Sequence, residues 1–132
     1  MYQVAAAMRA LETAITQHPS AEGWSSLVAD RVDSLRRAYI CDLQQSQRGL
    51  DDRVDTTWDA TPWLAGRAAM LRREQSSLVE ELDRLRDGCA TSLEPDALRR
   101  QVVATLTRLA RCRQREADLF YESVDLDLGG EQ

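Results

Sequence analysis

A chain of 132 residues has the size of one domain and, on folding, buries roughly two-thirds of the surface its unfolded form exposes. Its net charge of −5, with 17 arginines interspersed among the acids, lacks the concentrated basic face of a nucleic-acid binder. Glycine, proline and aromatic residues are few, while Ala, Leu, Arg, Glu and Gln abound, which predicts an all-α protein.

Every basic residue is arginine and none is lysine, a bias that fits the coding of a GC-rich bacterium and carries no chemistry. The opening MYQVAAAMRALETAI has no basic stretch before its apolar one, and no window approaches the roughly 18 apolar residues of a membrane span. A cytoplasmic protein without membrane or nucleic-acid partners is expected. Cys41, Cys89 and Cys112 are odd in number and widely spaced, which fits free thiols in a reducing compartment.

Val4, Met8, Leu11 and Ile15 recur at steps of four and three, predicting a first helix over 2–17 that His18-Pro19 ends. Ser20 is the expected cap of a second helix over 21–47, whose stripe is Trp24, Val28, Val32, Leu35 and Tyr39. From Arg48 to Thr61 the periodicity fails, and RGLDDRVDTTWDAT reads as a polar connection. Thr61-Pro62 then opens a third helix over 62–86, with Leu64, Ala68, Leu71, Gln75, Leu78, Leu82 and Leu85 in its stripe and Asp87-Gly88 as its stop. Ser92 is the expected cap of a fourth helix over 93–124, carrying Leu98, Val102, Leu106, Leu109, Cys112, Glu116 and Leu119. The acidic tail 125–132 is expected to fray. One stripe per helix and mostly short connections predict one antiparallel up-down-up-down four-helix bundle spanning 1–124.

The functional lead is the set of polar residues that falls inside these stripes. Gln75 sits between Leu71 and Leu78, so the period that buries the leucines carries an amide inward, where it needs partners. Cys112 and Glu116 are four residues apart and share one helix face. A turn centred near Ala90 offsets Gln75 from Cys112 by about 10 Å at the α-helical rise. The second helix adds Cys41 or Asp42, with Tyr39 nearby, and His18 ends the first stripe. Candidate ligand-binding residues are therefore Tyr39, Gln75 and Cys112, and candidate metal ligands are Cys41, Gln75, Cys112 and Glu116. Metal-holding bundles place Glu-x-x-His pairs on facing helices, and this chain has no such pair and a single histidine. No catalytic residue stands out.

The segments RRAYICDLQQSQRGL, WLAGRAAMLRREQSSLVEEL and LRRQVVATLTRLARCRQREADLFYES, with DLDLGGE beyond, resemble small bacterial hemerythrin-like bundle proteins. In that pattern the third helix reads like RREH, and the fourth like RHRQR with an acidic residue beyond. The resemblance implies the four-helix fold and, where the histidines and carboxylates are intact, a non-heme di-iron centre that handles oxygen. Here Gln75 and Cys112 stand where the pattern has histidine, Cys41 is placed at the second-helix histidine, and Glu116 matches a carboxylate position. The expectation is a degenerate metal site without cofactor, in a structural or protein-interaction module that works as a homodimer or with a protein partner rather than as an enzyme. The alternative is a redox or oxygen-related protein that holds iron or a small ligand in the Cys/Gln/Glu core.

Plainer roles accompany each candidate. Gln75 is also the kind of core amide that fixes helix register, and Cys112 is also a small apolar core residue. Arg111, Arg113 and Arg115 point to other faces, and Glu116 opposes thiolate formation at Cys112. Glu116 is equally readable as a solvated or arginine-paired acid. Asp51, Asp52, Asp55 and Asp59 lack calcium-loop spacing and read as a solvated loop, while Trp58 and Trp63 are expected to cap the end of the bundle.

Overall fold

The computed structural model describes residues 2–19, 23–53, 62–90 and 94–129, with side chains described for 3–19, 23–46, 62–89 and 94–124. Four helices run in chain order: α1 Tyr2–Thr16, α2 Trp24–Arg53, α3 Pro62–Ala90 and α4 Pro95–Gly129. Each packs on its neighbours in sequence, and α4 returns to α1, so the helices form a ring around one core. Among the described residues diagonal helices do not approach backbone to backbone, and no strand occurs. This is the all-α, antiparallel four-helix bundle that the stripes predict.

The stripes become the core almost residue for residue. Val4, Leu11, Val28, Val32, Leu35, Leu64, Leu78, Leu82, Leu98, Val102 and Leu109 are fully or almost fully buried, while Met8 and Ile15 are half-buried. Each such aliphatic side chain contributes about 1.5–3 kcal/mol of transfer free energy, which is the main force holding the ring together. Ala14, Cys89, Thr105 and Ser123 are also buried, beyond the expected stripes.

Several helix ends differ from expectation, for local reasons. Gly23, with φ of 78°, makes the turn into α2, and its carbonyl accepts the amide of Leu27 at 2.9 Å, so it takes the capping place expected of Ser20. Ser20 itself lies outside the described residues, as does Ser92. At α4 the carbonyl of Glu94 accepts the amide of Leu98, with Pro95 following as first helical residue. α2 continues to Arg53, past the expected end at 47, because no proline interrupts the chain before Pro62. α3 passes through Gly88 without a left-handed turn, and so buries Cys89 one turn beyond Leu85. α4 likewise extends to Gly129 through much of the expected tail.

Polar ties set the relative heights of the helices. Trp24 Nε1 donates to the carbonyl of Ala14 at 3.1 Å, and Arg99 donates to the carbonyls of Ile15 and Gln17 while stacking on Trp24. Between α2 and α3, Arg86 bridges Asp33 at 3.1 Å and Asp83 at 2.9 Å, and Arg36 Nε faces Asp83 at 2.9 Å as an ion pair outside hydrogen-bond angles. Between α3 and α4, Glu81 holds Arg108 and Thr105, Glu74 holds Arg115, and Arg67 holds Glu122. These last pairs lie at nearly equal chain distances on either side of Glu94. The hairpin is therefore centred near Glu94 rather than near Ala90, and the expected 10 Å offset between Gln75 and Cys112 shrinks to about 3 Å.

Candidate functional site

The corrected register brings Gln75 of α3 level with Cys112 and Glu116 of α4, and Tyr39 of α2 reaches the same point from the opposite side. Glu116 Oε1 is the hub. Tyr39 donates its hydroxyl to it at 2.9 Å, Gln75 donates its amide at 3.1 Å, and the Cys112 thiol stands at 3.6 Å. Tyr39 and Cys112 also touch, oxygen to sulfur, at 3.7 Å. With the phenol proton committed to Glu116, the tyrosine oxygen is left free to accept from the thiol.

Burial decides the protonation of the two donors. Tyr39 has no exposed surface, and burial, reinforced by the Glu116 charge, pushes its phenol above the ordinary 10.0. Cys112 is as deeply buried, and burial lifts its thiol from 9.0 to about 11; its polar contact with Tyr39 works against this, and Glu116 and Glu74 add to it. Both groups therefore keep their protons at neutral pH and face a carboxylate that accepts from each. Nucleophilic or redox work by cysteine requires a thiolate, which this environment opposes.

Of the candidate residues, the structure gathers Tyr39, Gln75, Cys112 and Glu116 and leaves Cys41 apart. Cys41 is exposed on α2, and the neighbouring Asp42 is half-buried. His18 is exposed beyond the end of α1. Among the described residues no group of three or more His, Cys, Asp or Glu side chains stands close enough to hold a metal ion. The gathered donors do not fit a di-iron centre: one carboxylate, an amide, a phenol and a protonated thiol supply no imidazole, and one of the two carboxylate oxygens already accepts from its neighbours.

A shallow groove of about 170 Å³ lies on the outer face of α3 and α4, floored by Leu71 and Leu119 and edged by Glu74 and Arg115. None of the four cluster residues lines it. Trp63 is half-exposed beneath the Arg67 guanidinium, so it does not close the bundle end as expected. Trp58, Asp55 and Asp59 lie outside the described residues, as do the side chains of Asp51 and Asp52. Sequence reasoning missed Glu74, whose charge bears on Cys112 and whose side chain holds Arg115; it lies beside the stripe rather than in it, so periodicity gives no signal.

Comparison with known protein families, curated proteins and solved structures returned no match to this chain.

Proposed function

We propose that this chain is a non-catalytic, hemerythrin-like bundle whose metal site has degenerated, and that it serves as a structural or protein-interaction module. The observation that carries this reading is the closed set of hydrogen bonds on Glu116 Oε1, made by donors from three helices. Gln75, Cys112 and Glu116 occupy the positions where the resemblance expects ligands, and Gln75 and Cys112 turn their donors to Glu116 Oε1. A hydrogen-bonded cluster drawn from three helices fixes the register of the helices that supply it. It joins α2, α3 and α4 at one height, near the middle of α2 and α3.

Elemental analysis of freshly purified protein, before and after anaerobic incubation with ferrous iron, tests the reading. The expected result is no stoichiometric metal and an absorption spectrum with aromatic bands alone. Iron, manganese or zinc near about one or two atoms per chain, as bundle metal centres hold, would overturn it in favour of a redox or oxygen-related site built on Cys112 and Glu116.

A further inference from the structure

Four helices close the ring over only about half of its length. α1 has 15 residues, whereas α2, α3 and α4 have 30, 29 and 35. Trp24 is tied to the carbonyl of Ala14, so the stretch from Ala14 back to Tyr2 matches α2 from Trp24 to Arg36. Arg99 is tied to the carbonyl of Ile15, so the stretch from Ile15 back to Tyr2 matches α4 from Arg99 to Cys112. α1 therefore starts within about one turn of Tyr39 and Glu116, and α2 and α4 continue past that level for about 20 Å.

Burial records the missing quarter. Leu106, Arg113 and Phe120 are spaced by seven residues and share one line of α4. Leu106 is buried, Arg113 is half-buried against Met8 of α1, and Phe120 is 47% exposed, with Tyr121 beside it at 67%. On α2 the line through Val28 and Leu35 is buried and then reaches Asp42, which is half-buried; none of the described α2 side chains past Tyr39 is buried. α2 and α4 do not close the gap themselves, because they stay on the diagonal and their backbones do not approach. A slot one helix wide is left between them, with α3 as its floor, Phe120 and Tyr121 on the α4 side and Asp42 on the α2 side.

Charge says what fits the slot. Glu116 is half-buried at its inner end, and the groups that meet its carboxylate, Tyr39, Gln75 and Cys112, are all neutral donors. The arginines next to it in α4 are engaged elsewhere, Arg115 by Glu74 and Arg113 by the sulfur of Met8. Past Glu116 the α4 sequence ADLFYESVDLDLG has four acids and no basic residue. Of these, Glu122 is paired with Arg67, and Asp118 accepts only from the neutral Gln114 among the described residues. A half-buried carboxylate is stabilised when a cation is brought to it, and an exposed aromatic wall when it is covered. An amphipathic helix that turns its apolar edge to Phe120 and a basic edge to Glu116 does both.

We infer that the slot between α2 and α4 receives one basic, amphipathic helix of a partner protein, which completes the second half of the bundle. The inference rests on the interaction-module reading and names the partner's chemistry, but it is tested by peptide binding rather than by metal content, so the two fail separately. The probe is a stapled helix of about 14 residues, roughly 20 Å long, with leucines along one face and arginines beside them; its counterpart carries glutamates in place of the arginines. In fluorescence anisotropy titrations of the full chain at low salt, the arginine peptide should bind at least about tenfold more tightly than the glutamate peptide. Phe120→Ser should weaken the arginine peptide by about tenfold through lost apolar contact. Glu116→Gln, which keeps the side-chain shape, should weaken the arginine peptide by about tenfold and leave the glutamate peptide no weaker. Circular dichroism checks that each variant keeps its helix content. Equal affinity for the two peptides, an arginine peptide indifferent to both substitutions, or no binding into the millimolar range overturns the inference. So does a wild-type dimer in sedimentation velocity that Phe120→Ser dissolves, because a second copy then fills the slot.

Discussion

At the scale of single residues, Tyr39 carries the largest polar consequence in the core. Its hydroxyl is buried and spends its proton on Glu116, so Tyr39→Phe removes one of the hydrogen bonds on a carboxylate without opening a cavity. A hydrogen bond to a charged group is worth about 1.5–3 kcal/mol, and a loss of that size in the urea unfolding free energy is expected. A change within error would show that Tyr39 is held by packing alone. The three cysteines separate by environment: Cys41 is exposed, while Cys89 and Cys112 are buried and their thiols pushed upward by that burial. A colorimetric thiol reagent at neutral pH should therefore titrate Cys41 quickly in the native protein, with the other two reacting only after denaturation. Rapid labelling of Cys112 in native protein would contradict the closed cluster.

At the scale of helices and their ends, glycine has opposite meanings at two positions. Gly66 lies inside α3, and a methyl group added there meets no atom within 4 Å. Gly66→Ala should stabilise the protein by about 0.5–1 kcal/mol through the lower entropy of its unfolded chain. Gly23 also has open space, but its φ of 78° is left-handed, so Gly23→Ala should destabilise by about 1–2 kcal/mol despite the lack of a clash. Thermal unfolding of both variants beside wild type checks the pair, and a shift of the same sign in both would refute the backbone argument. The α2/α3 ion pairs belong to this scale as well. Arg86, by its hydrogen bond first, holds the Asp33 carboxyl below its ordinary 3.8, so this contribution is present near neutrality and fades as acid protonates Asp33.

For the whole molecule, the buried thiol ties stability to alkaline pH. Cys112 releases its proton at about 11 in the fold against 9.0 in an unfolded chain, so between those values the unfolded state holds fewer protons. Stability must then fall as pH rises through that window, having been fully present below it. Tyr39 is shifted in the same direction from 10.0, and Cys89 from 9.0, so the comparison that isolates Cys112 is wild type against Cys112→Ala. Urea midpoints measured from neutral pH to about pH 11 should decline less steeply in the variant. Equal slopes would place the thiol in contact with solvent.

The bundle was legible in the chain because burial follows the 3.6-residue period: Leu64 through Leu85 and Leu98 through Leu119 face inward wherever the helices stand relative to one another. The same period carried Gln75, Cys112 and Glu116 toward the core. Helix ends were less legible, since α3 runs through Gly88 to bury Cys89, a preference for packing over a local stop signal. Sequence alone thus determined which residues are inside and which of them are polar. Only the tertiary structure decided that Tyr39, Gln75 and Cys112 meet on one oxygen of Glu116 and that Cys41 does not join them. Periodicity fixes the rotation of a helix about its own axis, but its height beside its neighbours is set by contacts between residues far apart in the chain.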